Sequence, residues 1–552
     1  MGKKSKKKVR LQQATPIRPP IIPTPWVPYL ILAVIILLFS FIRIRLASFP
    51  LERDEGEYAY LGQLILNGIP PYQLAYNLKF PGIYAVYALI MAIFGQTAEG
   101  IRYGMLLFNT GSLFFIFFIM KRLFSSLSAL AATAVASILF SSPNLLGQAA
   151  HATHFVTFFM LVGVWLLLEA IDKRRWLVFF LSGVMMGLSL LMKQSAIFFS
   201  FFGSMFLVAC LWLRKEKRWA GLLVPLIPYG LGVAIPLLLT LLIMYLCGVF
   251  DKFWFWTFIY PKVYSDRVPI SLTWTSFIIN FKPILYSYPA VWILSTLGVI
   301  SLFLYRGKMS ERLFLGLLLI FSFLSTIPGI YFRPHYFIPT APAVGMLAGF
   351  FLEFLDQRIG HAFRPLRWAL SLTTTVLVIH ILIGNKTFYF QGDPDQLCHI
   401  LYSDNNFTEA VPVAKFLQAN SGADDRIFVF GSEPEIYFYA KRKSATSYIY
   451  MYDLAFSHPY KQRMQKDLIN EVEKSKPKFI VTVSSPLSWL DQPGELDDLF
   501  AWLNAYTRQN KYIPVGLVNY KFPEPSEILW GKDFLAAKPS SPNDMVILQR
   551  QQ

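Results

Sequence analysis

The stretch VPYLILAVIILLFSFIRIRLASFPLERDEGEYAY, residues 27–60, indicates the fold class. Residues 27–47 are almost wholly apolar, and a helix of about 20 such residues crosses the hydrocarbon core of a bilayer. An acidic cluster follows, with Glu52, Asp54, Glu55 and Glu57 inside six residues. No cleavage site of small residues separates the two parts, so we expect an uncleaved membrane anchor that leads into a charged loop.

Composition extends this expectation to most of the chain. Of the 552 residues, 55% are hydrophobic and 15% are charged, whereas ordinary soluble domains carry about 25% charged residues. So little charge cannot cover a globular surface, which excludes a wholly soluble protein. Together with residues 27–47, ten further apolar runs predict eleven membrane spans; the ten lie at roughly 102–120, 126–146, 153–171, 176–192, 195–213, 220–246, 287–305, 313–331, 336–356 and 368–384.

The distribution of basic residues orients these spans, because cytoplasmic segments are enriched in lysine and arginine. If the short apolar stretch Pro81–Phe94 does not cross, the segments on the side of the N-terminus hold 22 of the 33 basic residues before position 386. The predicted organisation is therefore a basic cytoplasmic tail at 1–26, a transmembrane domain at 27–385 with a first outer loop at 48–101, and a soluble extracytoplasmic domain at 386–552.

The last of these stretches has the pattern of an α/β domain. It contains 18 basic and 20 acidic residues, so its charge is nearly balanced although the whole chain carries a net charge of +18. Helix-like segments alternate with the strand-like runs RIFVFG, FIVTVSS, IPVGLV and MVILQ. The excess positive charge therefore belongs to the membrane part, where it meets anionic lipid, and we expect no nucleic-acid partner.

The loops expected on the outer face contain the residues best suited to chemistry. These are Asp54, Glu55, Glu57, Lys79, His151, His154, Lys193, Arg333, His335 and Tyr336. Taken singly, an acidic cluster is usually a solvated surface, and a lysine at the end of a span usually reaches lipid head groups. Lys193, however, lies in a short turn on the side where lysine is disfavoured. Carboxylates and cations together suit the transfer of a sugar carried on a lipid phosphate, since a carboxylate can take the acceptor's proton and cations can stabilise the leaving phosphate.

Several segments resemble the polyprenol-phosphate-sugar-dependent membrane glycosyltransferases of the C fold. They are DEGEYAY (54–60), NGIPPYQLAYNLKFPGIYAVYALIMAIFG (67–95), GLSLLMKQSA (187–196), RPHYFIPTAPAVGMLAG (333–349) and RIFVFGSEPEIYFYAKRKSATSYIY (426–450). The nearest groups are glycosyltransferase family 39, of the dolichyl-phosphate-mannose protein mannosyltransferase type, and the lipid A aminoarabinose transferases. The resemblance implies a polytopic α-helical membrane protein of about eleven transmembrane helices, with a C-terminal extracytoplasmic α/β domain.

The resemblance also implies roles for individual residues. Asp54 would be the general base, and Glu55 would be its partner or a metal or acceptor contact. Lys79 would contact the donor phosphate or orient the carboxylates, although Phe80 stands where relatives often have proline. The donor phosphate site would further contain Lys193, Arg333, His335 and Tyr336. Glu57, His151 and His154 are additional candidates, and the two histidines are chosen for their expected place at the outer face rather than for the resemblance. A divalent metal ion is left open, and no other cofactor is expected.

We therefore predict a glycosyltransferase that moves a sugar, with inversion, from a polyprenyl-phosphate donor to a hydroxyl of a protein, lipid A or cell-envelope glycan. Its expected location is the bacterial inner membrane, in contact with membrane lipids, with the acceptor on the outer face. The alternative is a polytopic transporter or lipid flippase, but such proteins usually place ionisable groups near the bilayer midplane. A receptor-like or scaffolding protein would leave the acidic motif unexplained.

Overall fold

The computed structural model describes residues 26–214, 219–360, 376–490, 497–535 and 539–551. Four features expected from the sequence lie wholly or partly outside these residues: the basic tail at 1–26, the basic segments at 214–218 and 358–367, and the first half of the last span expected at 368–384.

Up to residue 360 the described chain is helical. The longer helices are Val27–Arg45, Arg53–Leu66, Gly82–Phe94, Ala98–Leu123, Ser126–Phe140, Ala152–Lys173, Trp176–Met192, Ile197–Leu213, Trp219–Leu246, Thr273–Ser287, Pro289–Leu304, Met309–Leu324 and Ala341–Leu355. Short helical turns connect several of them, including Phe250–Trp254, Phe255–Ile259 and Tyr260–Ser265. Large apolar side chains such as Leu107, Trp212 and Phe303 are exposed on the outside of the helices, as expected of a surface in contact with lipid.

Six helices among the described residues are long and apolar enough to cross a membrane, and a seventh span results if the bent pair Ile270–Ser287 and Pro289–Leu304 is one span. The six are Val27–Arg45, Ala98–Leu123, Ala152–Lys173, Gln194–Leu213, Val224–Leu246 and Pro334–Arg358. The apolar runs at 126–146 and 176–192 form shorter helices, Ser126–Phe140 and Trp176–Met192. The first helix is shorter than its run because the run ends in a turn at Pro143–Leu145. A polytopic helical membrane protein is thus supported, whereas the number eleven stays a prediction.

Small residues allow the helices to approach closely. A Cβ on Gly183 would lie 2.1 Å from the carbonyl oxygen of Tyr229, and one on Gly232 would lie 2.1 Å from that of Phe180. The helices Trp176–Met192 and Trp219–Leu246 therefore meet backbone to backbone at these glycines, the packing mode that favours association of helices in lipid.

The chain ends in a five-stranded sheet covered by helices. Its strands are β1 Ile427–Phe430, β2 Phe479–Val483, β3 Tyr512–Asn519, β4 Glu527–Trp530 and β5 Met545–Arg550, in the order β1-β2-β5-β3-β4. β1 and β2 are parallel, and the other pairs are antiparallel. The main helices of this part are Phe407–Ala419, Glu435–Ala440, Lys461–Ser475 and Asp497–Gln509. Four strands occur where the sequence pattern predicted them; β4 was not predicted, because it is short and half-exposed.

The helix Arg53–Leu66 connects the two parts of the molecule. It packs against the helix Gly82–Phe94 on one side and against Glu435–Ala440 of the C-terminal domain on another. The acidic motif near its N-terminus therefore lies where the membrane helices and the C-terminal domain meet.

Candidate active site

The acidic motif begins the helix Arg53–Leu66 through a capping box. The carboxylate of Glu52 accepts a hydrogen bond from the backbone N–H of Glu55 at 3.0 Å, and the carboxylate of Glu55 accepts one from the N–H of Glu52 at 3.3 Å. These bonds satisfy two backbone donors that a helix N-terminus leaves free. Asp54 and Glu57 then follow at a spacing of three residues, which places their side chains on one face of the helix.

Lys79 pairs with both of these carboxylates. Its Nζ lies 3.1 Å from Oδ1 of Asp54 and 3.3 Å from Oε2 of Glu57, and it stands 4.5 Å from the centre of the Tyr58 ring. Burial alone would lower the pKa of Lys79, but the two carboxylates outweigh it and hold the pKa above its ordinary value. The ammonium therefore remains charged between the two acids.

The two acids differ in their exposure and their pKa. Asp54 has a side chain that is 17% exposed, whereas that of Glu57 is wholly buried. Burial would raise the pKa of Asp54, but the charges of Lys79 and Arg333 hold it well below its ordinary value. For Glu57 burial prevails and raises the pKa to about 7, although Lys79 and two tyrosine hydroxyls oppose it. Asp54 is therefore ionised at neutral pH, and Glu57 titrates near it.

Two stacked histidines face Asp54. The rings of His151 and His335 lie 3.9 Å apart and nearly parallel, with Nδ1 of His151 4.0 Å and Nε2 of His335 3.8 Å from Oδ2 of Asp54. Among the described residues, neither nitrogen of His151 has a hydrogen-bond partner. Burial lowers the pKa of His151 to about 3, against the opposite effect of Asp54, so the imidazole is neutral. Neutral imidazoles and a carboxylate are ligands that a divalent cation could bind, and the three ligand atoms lie within 4.8 Å of one another.

A cavity of about 190 Å³ opens above this cluster. Of the predicted site residues, the cavity is lined by Asp54, Lys79, Lys193, Arg333, His335 and Tyr336. The Nζ of Lys193 lies 3.2 Å from the centre of the Tyr336 ring. Burial, together with the nearby charges of Lys79 and Arg333, lowers the pKa of Lys193 well below its ordinary value. Two lysines, one arginine and one carboxylate thus share one small space.

Four predicted residues do not line this cavity: Glu57 and His151 belong to the cluster around Asp54 and Lys79, whereas Glu55 and His154 lie away from both. Glu55 is buried and pairs with Arg102 at 2.8 Å, and it also accepts a hydrogen bond from the backbone N–H of Ala150. The Nε2 of His154 is 2.9 Å from the carbonyl oxygen of Gly147. Neither side chain lines the cavity. The spacing in the helix explains the position of Glu55, because adjacent residues point about 100° apart.

The C-terminal domain contributes residues that the sequence did not single out. Tyr452 and Asp453 line the cavity, and the hydroxyl of Tyr450 lies 2.9 Å from Oε2 of Glu57. They are about 400 positions from Asp54 in the chain. The signal that could have indicated them is the segment 426–450 quoted for its family resemblance, which ends at Tyr450 and is followed by Tyr452 and Asp453.

An apolar groove of about 590 Å³ begins beside the cavity. Its lining includes Pro81 and Met192, which are close in the chain to Lys79 and Lys193. The groove runs between the helices Gly82–Phe94, Trp176–Met192 and Trp219–Leu246, and its exposed lining is overwhelmingly apolar. A molecule with a charged head and a long apolar tail would fit this pair of neighbouring spaces.

Comparisons with known proteins agree with this arrangement. Residues 79–231 match the family model of dolichyl-phosphate-mannose-protein mannosyltransferase. The fold is similar to that of ArnT from Cupriavidus metallidurans bound to undecaprenyl phosphate, with a TM-score of 0.56 and 16% identity over 88% of this chain and 95% of that one. It is also similar to the Archaeoglobus fulgidus oligosaccharyltransferase tethered with an acceptor peptide, with a TM-score of 0.54 and 11% identity over 92% and 74% of the two chains. No curated protein matches the chain.

The fold is thus shared with these two solved structures, and residues 79–231 resemble the mannosyltransferase family. The resemblance to the dolichyl-phosphate-mannose protein mannosyltransferase type, predicted from the sequence, is thereby confirmed.

Proposed function

We propose that this integral membrane protein transfers a sugar from a polyprenyl-phosphate donor to an acceptor hydroxyl at the outer face of a bacterial inner membrane. The observation that carries the proposal is the cavity in which Asp54 faces Lys79, Lys193 and Arg333, next to an apolar groove. A lipid-phosphate sugar has the matching chemistry, namely an anionic phosphate beside a long hydrocarbon chain. ArnT, which has a similar fold, is known bound to undecaprenyl phosphate.

The cations would hold the donor phosphate. Among the described residues Lys193 and Arg333 form no ion pair with a carboxylate, while Lys79 is shared between two. A buried ammonium without a counter-charge is costly, and an incoming phosphate would remove that cost. Charge-assisted hydrogen bonds to phosphate are also about twice as strong as neutral ones. We infer that the phosphate occupies the space between these three residues.

Asp54 would act as the general base. Its carboxylate takes the proton of the acceptor hydroxyl while the acceptor oxygen forms a bond to the anomeric carbon. The bond between that carbon and the phosphate oxygen breaks on the opposite face, so the configuration inverts and the electron pair leaves with the polyprenyl phosphate. The leaving phosphate keeps its contacts with Lys79, Lys193 and Arg333, which stabilise its increasing charge.

Lys79 would link donor binding to the strength of this base. In the structure Lys79 is the largest electrostatic cause that lowers the pKa of Asp54, which makes Asp54 a weak base. A donor phosphate competes with Asp54 for the same ammonium. Donor binding would therefore raise the pKa of Asp54 and strengthen the base when the sugar is in place.

Asp54, His151 and His335 would hold a divalent cation if the enzyme uses one. The fit rests on the neutral buried imidazole of His151, its unpartnered nitrogens, and the distances of 4.0 Å and 3.8 Å from His151 and His335 to Oδ2 of Asp54. Such an ion would supply further positive charge for the phosphate.

The experiment that tests the proposal measures transfer with Asp54→Asn. Membranes that contain the protein are supplied with labelled undecaprenyl phosphate carrying mannose, aminoarabinose or galacturonic acid, and release of undecaprenyl phosphate is followed. We expect a loss of about 10²- to 10⁴-fold, the usual contribution of a general base. The control is Asp266→Asn, which changes an exposed carboxylate of an outer loop. Full activity of Asp54→Asn would refute the assigned base, and absence of release by the wild type from all donors would refute the donor class.

A further inference from the structure

The C-terminal domain reaches the catalytic helix through the hydroxyl of Tyr450. This hydroxyl lies 2.9 Å from Oε2 of Glu57 and 3.2 Å from the carbonyl oxygen of Arg53. A phenol has one proton to donate, and the carboxylate is both nearer and able to carry charge. The hydroxyl therefore donates to ionised Glu57.

Glu57 in turn determines the position of Lys79. Its Oε2 accepts from both Tyr450 and Lys79, and its Oε1 accepts from the hydroxyl of Tyr84 at 3.0 Å. The side chain is wholly buried, so water cannot replace a missing donor. Tyr84 belongs to the helix Gly82–Phe94 and Tyr450 to the C-terminal domain. Two tyrosines from different parts of the molecule thus hold the carboxylate of Glu57 in place, and this carboxylate positions the ammonium of Lys79.

Other contacts hold this junction rigid. The guanidinium of Arg53 donates to the carbonyl oxygen of Ser432 at 2.6 Å and pairs with Glu433 at 3.2 Å. A Cβ on Gly56 would lie only 2.6 Å from the backbone nitrogen of Glu435. The C-terminal domain is thus in direct contact with the helix that carries Asp54 and Glu57. A small displacement of the domain would therefore move both carboxylates.

We propose that Tyr450 is a positioning residue, whose hydroxyl holds Glu57 and thereby sets where the ammonium of Lys79 stands in the donor site. The inference rests on the proposed function, since it assigns Lys79 to the donor phosphate. It makes the C-terminal domain part of the active site, because the domain supplies one of the hydrogen bonds that orient a cation of the reaction.

A double-mutant cycle tests this assignment. Tyr450→Phe removes one oxygen atom and keeps the ring against Tyr452, at 4.9 Å between centres. We expect kcat/KM for the labelled undecaprenyl-phosphate donor to fall about tenfold, as for the loss of a hydrogen bond to a charged group. In a Glu57→Gln background the same substitution should cost less than about twofold, because residues that act through one another are not additive.

The matched control is Tyr439→Phe. The hydroxyl of Tyr439 accepts a hydrogen bond from the backbone N–H of Leu51 at 2.8 Å, so this variant also removes one hydroxyl between the two parts of the molecule without touching Glu57. We expect it to retain activity within about twofold and to remain additive with Glu57→Gln.

The pH profile provides a second readout that a merely structural role would not change. The titratable groups that face Glu57 are Asp54, Tyr58, Tyr72, Lys79, Tyr84 and Tyr450. Burial raises the pKa of Glu57 to about 7, and the hydroxyl of Tyr450 lowers it. In Tyr450→Phe the pH at which activity falls on the acidic side should therefore be higher by about one pH unit than in the wild type. Most of the activity of this variant should be recovered at pH 9.

Three results would overturn the inference. The first is a kcat/KM for Tyr450→Phe as high as that for Tyr439→Phe. The second is a double variant of Tyr450→Phe and Glu57→Gln whose loss in kcat/KM equals the product of the two single losses. The third is failure of Tyr450→Phe to accumulate in membranes when Tyr439→Phe does, which would make the hydroxyl structural. A wild type that releases no polyprenyl phosphate from any donor refutes the proposed function itself, so the two failures are distinguishable.

Discussion

Replacement of Lys79 by methionine tests the electrostatic design of the site most directly. The substitution keeps most of the side chain's length but removes the charge that lies 3.1 Å from Asp54 and 3.3 Å from Glu57. Removal of one positioned donor to a developing negative charge costs about 10²- to 10³-fold in rate, or about 2.7–4 kcal/mol. We expect kcat/KM for the donor to fall by this factor.

The same substitution should also change the pH dependence. Lys79 lowers the pKa of Asp54 and of Glu57. Without it both pKa values rise, and Glu57, whose pKa is about 7 in the wild type, becomes protonated at neutral pH. The activity that remains should therefore increase from pH 7 to pH 9 more steeply than in the wild type.

The assay follows release of undecaprenyl phosphate from the labelled donor between pH 6 and pH 9, in the same membranes that contain the protein and its acceptor. Lys252→Met is the control, because Lys252 is an exposed lysine that stands 5.1 Å from the ring of Tyr76, outside the cavity. A loss of less than about threefold for Lys79→Met, with normal amounts of folded protein, would refute the role of Lys79 in binding the donor phosphate.

Three further predictions concern pH, packing and metal. Activity of the wild type should fall as the pH decreases through about 7, because Glu57 then gains a proton and its ion pair with Lys79 weakens. The pH-rate profile of Glu57→Gln should not show this fall in activity near pH 7. Gly56→Ala should lower stability by about 1–3 kcal/mol in thermal unfolding in detergent, because the added methyl meets the backbone at Glu435. Gly230→Ala, with open space around its Cβ, should change stability by no more than about 1 kcal/mol, and equal effects of the two would contradict this packing. If the proposed cation binds, His151→Ala should reduce Zn²⁺ or Mn²⁺ binding in calorimetry about tenfold or more, and tight binding by that variant would exclude the site.

Much of the fold could be predicted from composition and local pattern. Burial of an apolar run in lipid depends on its own residues, so the membrane class follows from the chain alone. The strands β1, β2, β3 and β5 were predicted because short β-branched and aromatic runs alternate with amphipathic helices. The number of spans was harder to predict, because a run of apolar residues does not show where a helix bends, as at the 100° break between Ser287 and Pro289.

The candidate site was predictable only in part. The spacing of Asp54 and Glu57 places them on one helix face and turns Glu55 away, which the helical period could have indicated. The partner of Glu55, however, is Arg102, far along the chain, and the partner of His151 is His335. Such pairs arise from helix packing, which brings together residues that no local pattern connects.

The sequence by itself therefore determined that the chain is a helical membrane protein whose C-terminal part contains strands, and it indicated an acidic motif with Lys79 nearby. Only the tertiary structure decided that Asp54 faces the cavity while Glu55 is buried against Arg102, and that Tyr450 of the C-terminal domain holds Glu57. The physical reason is that hydrophobicity and helical period are local properties of the chain. The charge and hydrogen bonding of a buried group depend on neighbours hundreds of residues away.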